Sequence, residues 1–215
     1  MFDGVKVEYY ISKISFARLL IPTVLPNVDK AIYLDSDLIV RTDIAKLYEI
    51  DISDYYFAAV EDAGWRYHSK RMYGKETSYY NSGVLLINSK ELRRDEYPGK
   101  LKKTIFQNKT KYELGDQDVL NDVFRHKIKP LSISWNFHHD SYFTPEMYVG
   151  YVDCDKDKFI TIMNNPYIRH FTSPRKPWLV GIKRKLKNEY LFYERLTPFY
   201  KKFLNIKKNI SMETV

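Results

Sequence analysis

Short, unbroken apolar runs alternate along this chain with polar stretches of helical spacing. Gly83-Val84-Leu85-Leu86-Ile87 is too short for a helix and apolar throughout, which predicts a strand buried on both faces. Ala31-Ile32-Tyr33-Leu34, within a strand over 30–34, has the same character, as do Leu38-Ile39-Val40 and Tyr56-Phe57-Ala58-Ala59-Val60. Between them Ile11, Phe16, Leu19 and Leu20 place an apolar face on a helix over 12–20, with Pro22 as its stop. Asp43 reads as the N-cap of a short helix reaching Tyr48, and 65–73 as a polar helix or loop. Two more helices are predicted near 97–107 and 116–125, and strand-like pieces at 128–135 and 167–171 flank an irregular, aromatic-rich stretch. Strands alternating with helices predict an α/β layer fold with a mainly parallel sheet, whose ligands gather beyond the carboxyl ends of the strands. No internal repeat, low-complexity linker or second core interrupts the pattern.

With 215 residues, 44% of them apolar, the chain is long enough for one domain with a full core, expected over 1–180. Residues 181–215 have a different texture. Leu186, Tyr190, Tyr193, Thr197, Tyr200, Phe203 and Leu204 recur every three to four residues, and nine Lys or Arg stand against three Glu. This tail therefore carries about six of the chain's eight net positive charges. It reads as a basic amphipathic helix, either packed on the core or lying on an anionic membrane. Nucleic acid is not expected as a partner, because no stacking motif of a recognised type is interleaved with the basic residues. The single cysteine, Cys154, excludes an internal disulfide framework and favours a reducing compartment. No apolar run approaches the roughly 20 residues that span a bilayer, and the first residues do not resemble a signal peptide. The expectation is a cytoplasmic chain, with peripheral contact at the inner face of the membrane through 181–215. Nineteen Tyr and twelve Phe suit a sugar-stacking cleft or a packed interior equally well.

Four segments carry candidate chemistry. Tyr33-Leu34-Asp35-Ser36-Asp37 puts two carboxylates one residue apart at a strand's end, where they can hold a hard divalent cation; a turn or helix cap accounts for the same residues. Tyr79-Tyr80-Asn81-Ser82-Gly83 is either a turn that starts the buried strand or a place where the Asn81 amide meets a sugar hydroxyl. Gly115-Asp116-Gln117-Asp118 opens a helix, so Asp116 serves the helix dipole, or with Gln117 it faces a sugar ring. In the run from Arg169 to Trp178, His170 is a satisfied structural residue or a ligand. Lys176 follows it with an ammonium able to neutralise a diphosphate. An imidazole added to two carboxylates tilts such a site toward Mn²⁺ over Mg²⁺.

Taken together and in this order, these elements resemble family 8 of the retaining glycosyltransferases, which includes bacterial lipopolysaccharide galactosyl- and glucosyltransferases and, more distantly, glycogenin. Phe16-Ala17-Arg18-Leu19, the Asp35-Ser36-Asp37 segment, Tyr80 to Asn88, Gly115 to Asn121, Trp135-Asn136-Phe137 and His170 to Trp178 carry the resemblance over about residues 10–180. It implies a GT-A-like, Rossmann-like fold and a bacterial enzyme of cell-surface polysaccharide synthesis. Such an enzyme moves glucose or galactose from a UDP-sugar to a saccharide or lipid-linked acceptor. Asp35, Asp37 and His170 are then the ligands of Mn²⁺ or Mg²⁺. Lys176 binds the diphosphate with Ser173 nearby, and Arg18 and Asp62 contact the donor sugar. Asn81 and Ser82 line its reactive face with the catalytic pair Asp116 and Gln117. Front-face attack assisted by the leaving phosphate is favoured over a covalent route through Asp116, since Gln117 is a poor nucleophile.

Two departures qualify the resemblance. Ser173 stands where the family commonly has Gly, and its Cβ crowds a phosphate approaching the backbone. The helix that carries Arg18 also lies almost at the start of the chain. That leads to the expectation of an N-terminally partial nucleotide-binding unit and of weak donor binding by this chain alone. The competing readings are a truncated, catalytically weak or inactive remnant acting as a sugar- or metal-binding module, and a metal-dependent phosphohydrolase, which would leave Lys176-Pro177-Trp178 unexplained.

Overall fold

The computed structural model describes residues 13–138, 155–172, 174, 176–179, 184–198 and 200. The strands are β1 (Lys30–Leu34), β2 (Leu38–Val40), β3 (Phe57–Ala59), β4 (Val84–Asn88), β5 (Ile128–Pro130), β6 (Phe137–His138) and β7 (Ile168–His170). The helices are α1 (Ile21–Val24), α2 (Ala45–Tyr48), α3 (Trp65–Tyr73), α4 (Ser89–Arg94), α5 (Tyr97–Asn108), α6 (Asp116–Phe124), α7 (Lys156–Asn164) and α8 (Arg184–Arg195). The chain groups into two compact units, Met1–His170 and Phe171–Val215.

The described strands lie in the first unit, in two sheets of order β1-β4-β3-β5 and β2-β7-β6. The expected α/β fold is present, but its sheets are mixed where a mainly parallel sheet was expected. Among the described residues β4 is antiparallel to both β1 and β3, and β2 is antiparallel to β7. Among the described strands, β3 pairs with β5 and β6 with β7 in parallel. An unbroken apolar run reports that both faces of a strand are covered; its direction depends on connections and partners, which the run does not encode.

The alternation of side chains along a strand divides the core in two. Leu85 and Ile87 of β4 and Phe57 and Ala59 of β3 face a layer with Phe16, Leu19, Leu101, Leu120 and Phe124. Val84 and Leu86 of β4 and Ala58 of β3 face the opposite layer, with Leu47, Trp135, Phe137 and Ile168. Each such aliphatic side chain removed from water contributes about 1.5–3 kcal/mol, so β4 is the main apolar anchor of the fold.

Other differences have local causes. The segment expected to be a helix over 12–20 is a 3-10 helix, Lys13–Leu20, that runs directly into α1. Pro22 therefore does not stop a helix but stands in the first turn of α1, where its missing N–H has no intrahelical partner to lose. The strand expected over 128–135 ends at Pro130 and gives way to a 3-10 turn, Ile133–Asn136. α4 was not anticipated, although Asn88 caps it by accepting from Glu91 N at 3.2 Å. α7 lies inside the stretch read as irregular, capped by Asp155 through Lys158 N at 2.8 Å.

One buried carboxylate fastens α6 to α3. Asp118 accepts from Arg71 Nη2 and the Tyr79 hydroxyl, both at 2.6 Å, and from the Glu113 and Leu114 N–H groups at 2.7 and 2.8 Å. Asp118→Ala leaves Arg71 and Tyr79 facing a void and is expected to lower the unfolding free energy by about 3–5 kcal/mol in urea titrations. Glu113→Ala, removing a carboxylate that is 58% exposed and 3.5 Å from Arg71, is expected to cost less than about 1 kcal/mol. Equal losses would show that Asp118 is not the anchor.

Candidate active site

β1 and β2 belong to different sheets, and the three residues between them carry both aspartates. Asp35 is held on the first sheet, where its N–H donates to Gly83 O at 2.8 Å. Asp37 stands just before β2, whose Leu38 is in register with His170 of β7. This pairing brings His170 Nε2 to 3.1 Å from Asp37 Oδ1 and 3.6 Å from Asp35 Oδ2. One ligand atom from each of the three residues lies within 4.8 Å of the others, a candidate metal centre.

The donor set fits a divalent cation. His170 Nδ1 is 2.8 Å from Asn136 Oδ1, and that amide is oriented by its own Nδ2, which donates to Asn81 Oδ1 at 2.8 Å. An amide oxygen only accepts, so neutral His170 carries its proton on Nδ1 and turns the Nε2 lone pair toward the carboxylates. Three acceptors facing one point are mutually repulsive until a cation lies among them. Gly83 forms the wall behind them: a Cβ there would come within 2.1 Å of His170 Cε1 and 2.8 Å of Asp35 Oδ2.

Arg18 joins this cluster to α6. Its Nη2 is 2.9 Å from Asp35 Oδ1, its Nε is 3.1 Å from Asp116 Oδ2, and Nη1 donates to Ser82 O at 2.7 Å. The guanidinium lies over the Tyr33 ring at 4.4 Å, and the Tyr33 hydroxyl donates to Asp35 Oδ1 at 2.7 Å. Burial pushes that phenol well above its usual range against the pull of Arg18, so it stays a donor.

A chain of amides continues from there. Ser82 Oγ donates to Asp116 Oδ2 at 2.9 Å. Gln117 Oε1 accepts from Asn81 Nδ2 at 2.9 Å and Ser82 N at 3.2 Å, while Gln117 Nε2 donates to Asp62 Oδ2 at 3.2 Å. Asn81 Nδ2 also lies 3.1 Å from Asp62 Oδ2, and Gly64 N donates to Asp62 Oδ1 at 2.8 Å. Burial works against the charge on Asp62. The imidazoles of His138 and His68, the Gly64 N–H and the Asn81 amide nevertheless hold its pKa below the ordinary carboxylate value. His138 is buried edge-on to the His170 ring at 5.8 Å, and burial pushes its pKa down to about 4 while Asp62 pulls the other way.

Asp35, Asp37, His170, Arg18, Asp116, Gln117, Ser82, Asn81 and Asp62 thus lie in one connected network. Lys176 belongs to the second unit, where its Nζ donates to Phe171 O. Ser173 lies outside the described residues, as do Tyr142, Phe143, Tyr148 and Tyr151, whose rings suit either a sugar-stacking wall or simple packing. The sequence reading assigned no role to Gly83, Asn136, His138 or His68. Gly83 reads as a turn glycine, and Asn136 stands only within a motif.

The family model of glycosyl transferase family 8 matches residues 5–180. General stress protein A of Bacillus subtilis is 29% identical over 204 residues, covering 93% of this chain and 71% of that protein. Glycosyltransferase GlyE of Streptococcus pneumoniae is 32% identical over 190 residues, 84% of this chain, which spans only 42% of GlyE. The crystal structure of galactosyltransferase LgtC with donor and acceptor sugar analogs is 24% identical and superposes with a TM-score of 0.71, covering 90% of this chain and 70% of that one. The fold is α/β and GT-A-like.

Gly83→Ala is expected to displace His170 or Asp35 and to weaken Mn²⁺ binding, measured by calorimetry, at least about tenfold. Gly99→Ala in α5, where an added Cβ meets nothing within 4 Å, is expected to leave that affinity unchanged. Equal affinities in the two variants would show that the three ligands do not form the binding site.

Proposed function

Because the chain belongs to glycosyl transferase family 8, we propose that it transfers a hexose, glucose or galactose, from a UDP-sugar to a saccharide or lipid-linked acceptor with retention of anomeric configuration. We place this activity in cell-surface polysaccharide synthesis on the cytoplasmic side. The observation that carries the reading is the convergence of Asp35, Asp37 and His170 beside a buried, amide-lined network ending at Asp116 and Gln117.

In this reading Asp35, Asp37 and His170 hold Mn²⁺ or Mg²⁺, which supplies a Lewis acid for the charge that builds on the departing diphosphate. Lys176 and Ser173 are assigned to phosphate binding on the family resemblance alone. Arg18 and Asp62 grip the hexose, and Asn81 and Ser82 line its reactive face. The bond between the anomeric carbon and the UDP oxygen breaks. The acceptor hydroxyl forms its bond on the same face, and its proton leaves with the phosphate. Asp116 Oδ2 is already engaged by Arg18 and Ser82, and Gln117 Oε1 by Asn81 and Ser82. In this reading both residues act as fixed dipole and charge facing an oxocarbenium-like sugar, and front-face attack assisted by the leaving phosphate is the favoured route.

The second unit supports a membrane-facing role. Phe192 and Leu196, four residues apart, are 59% and 70% exposed in a segment whose sequence is rich in Lys and Arg, and Trp178 packs on Tyr190 at 5.5 Å. No helix among the described residues is long and apolar enough to cross a membrane. An interfacial helix that brings the enzyme to a lipid-linked acceptor is the arrangement we infer.

Calorimetric titration of UDP is expected to give binding that requires Mn²⁺ and is lost in an Asp35→Ala/Asp37→Ala variant; binding indifferent to both would refute the metal-diphosphate reading. In flotation assays the chain is expected to rise with vesicles containing anionic lipid and to be released by about 0.5 M salt, where screening shortens to a few Å. Equal recovery on neutral vesicles would argue against electrostatic docking.

A further inference from the structure

His68 of α3 faces the carboxylate that closes the amide network, and neither the family motifs nor the mechanism above uses it. Asp62 Oδ2 serves Gln117 and Asn81, whereas Asp62 Oδ1 receives Gly64 N at 2.8 Å and lies 3.6 Å from His68 Nε2. That separation is too long for a direct hydrogen bond. A hydroxyl seated beside the pair reaches both, donating to the carboxylate and accepting from the imidazole N–H.

The surroundings hold this arrangement in place. A Cβ on Gly64 would come within 2.8 Å of His68 Nε2 and 3.3 Å of Asp62 Oδ1, so a glycine there leaves the imidazole room to approach. The His68 ring packs on Tyr79 at 5.1 Å and edge-on to Tyr67 at 5.4 Å, and Tyr79 is itself anchored on Asp118. His68 Nδ1 is buried with no hydrogen-bond partner among the described residues, so stacking and the carboxylate orient the ring, with Nε2 turned to Asp62. The two side chains keep 19% and 12% of their exposure, so the pair is not sealed from a ligand.

We propose that His68 and Asp62 together read one hydroxyl of the donor hexose, as a paired donor and acceptor, and thereby set which hexose is accepted. This rests on Asp62 contacting the donor sugar. An epimer that turns the hydroxyl away loses both bonds and leaves two polar groups unmatched. Such a site discriminates more strongly than an apolar pocket of the same shape.

The test is titration of the full chain, with Mn²⁺, by UDP, UDP-glucose, UDP-galactose and UDP-hexoses deoxygenated at one position each. For the parent, removing one particular hydroxyl is expected to cost about 10- to 100-fold in affinity. His68→Leu is expected to lose the same factor with the intact hexose and nothing further with that deoxy donor, and His68→Gln, which keeps an N–H donor, to recover part. UDP alone, lacking the hexose, is expected to bind parent and variants within about twofold. If every deoxygenation costs parent and His68→Leu the same factor, or if His68→Leu weakens UDP itself as much as UDP-hexose, the specificity role is overturned while the nucleotide-sugar reading stands. If UDP does not bind the parent at all, that reading falls and the inference falls with it.

Discussion

The site depends on the chain crossing from one sheet to the other at Asp35-Ser36-Asp37. Each end of the crossing is fixed separately, by the Asp35 N–H on Gly83 O and by β2 in register with β7. The apolar anchoring of β4 positions Gly83, and through it Asp35; the β2–β7 ladder positions His170 against Asp37. Metal-ligand geometry tolerates errors of only a few tenths of an ångström, and in this candidate metal centre backbone hydrogen bonds fix the strands and the turn that carry the three side chains.

Charge is the second constraint. Asp35, Asp37, Asp62 and Asp116 converge on a largely buried region in which Arg18 is the cation bridging two of them. Unit charges about 4 Å apart in a protein-like medium interact by roughly 4 kcal/mol, so the excess of carboxylates favours positive charge in this candidate metal centre. Arg18 also spans the distance between the candidate metal centre and the start of α6, where the helix dipole favours the Asp116 carboxylate. The amide chain from Asn136 through Asn81 and Gln117 to Asp62 then leaves each side-chain oxygen engaged, the condition under which a buried polar network stiffens a site.

Much of this was legible beforehand. Apolar runs located β1 and β2 at their observed bounds and β4 to within one residue, because burial on both faces leaves a mark that no helix of that length would leave. The residues with charge or amide groups, Asp35, Asp37, Asn81, Asp116 and His170, were conspicuous because those groups at the ends of apolar strands and helices are costly without a purpose. Gly83 and Asn136 were not conspicuous. A glycine before a strand and an asparagine after a tryptophan have ordinary local explanations, and their importance arises from residues 34 to 87 positions away in the chain.

The sequence by itself determined the inventory: an α/β layer fold, one central buried strand, a carboxylate pair at a strand's end and a histidine to join it. These are properties of local pattern and side-chain chemistry, which the order of residues carries directly. Tertiary structure decided strand direction, the sharing of the carboxylate pair between two sheets, the tautomer of His170 through Asn136, and the approach of His68 to Asp62 across Gly64. Each depends on groups meeting through folding over long separations or on the space left by a missing side chain, and neither is written in any short window of the chain.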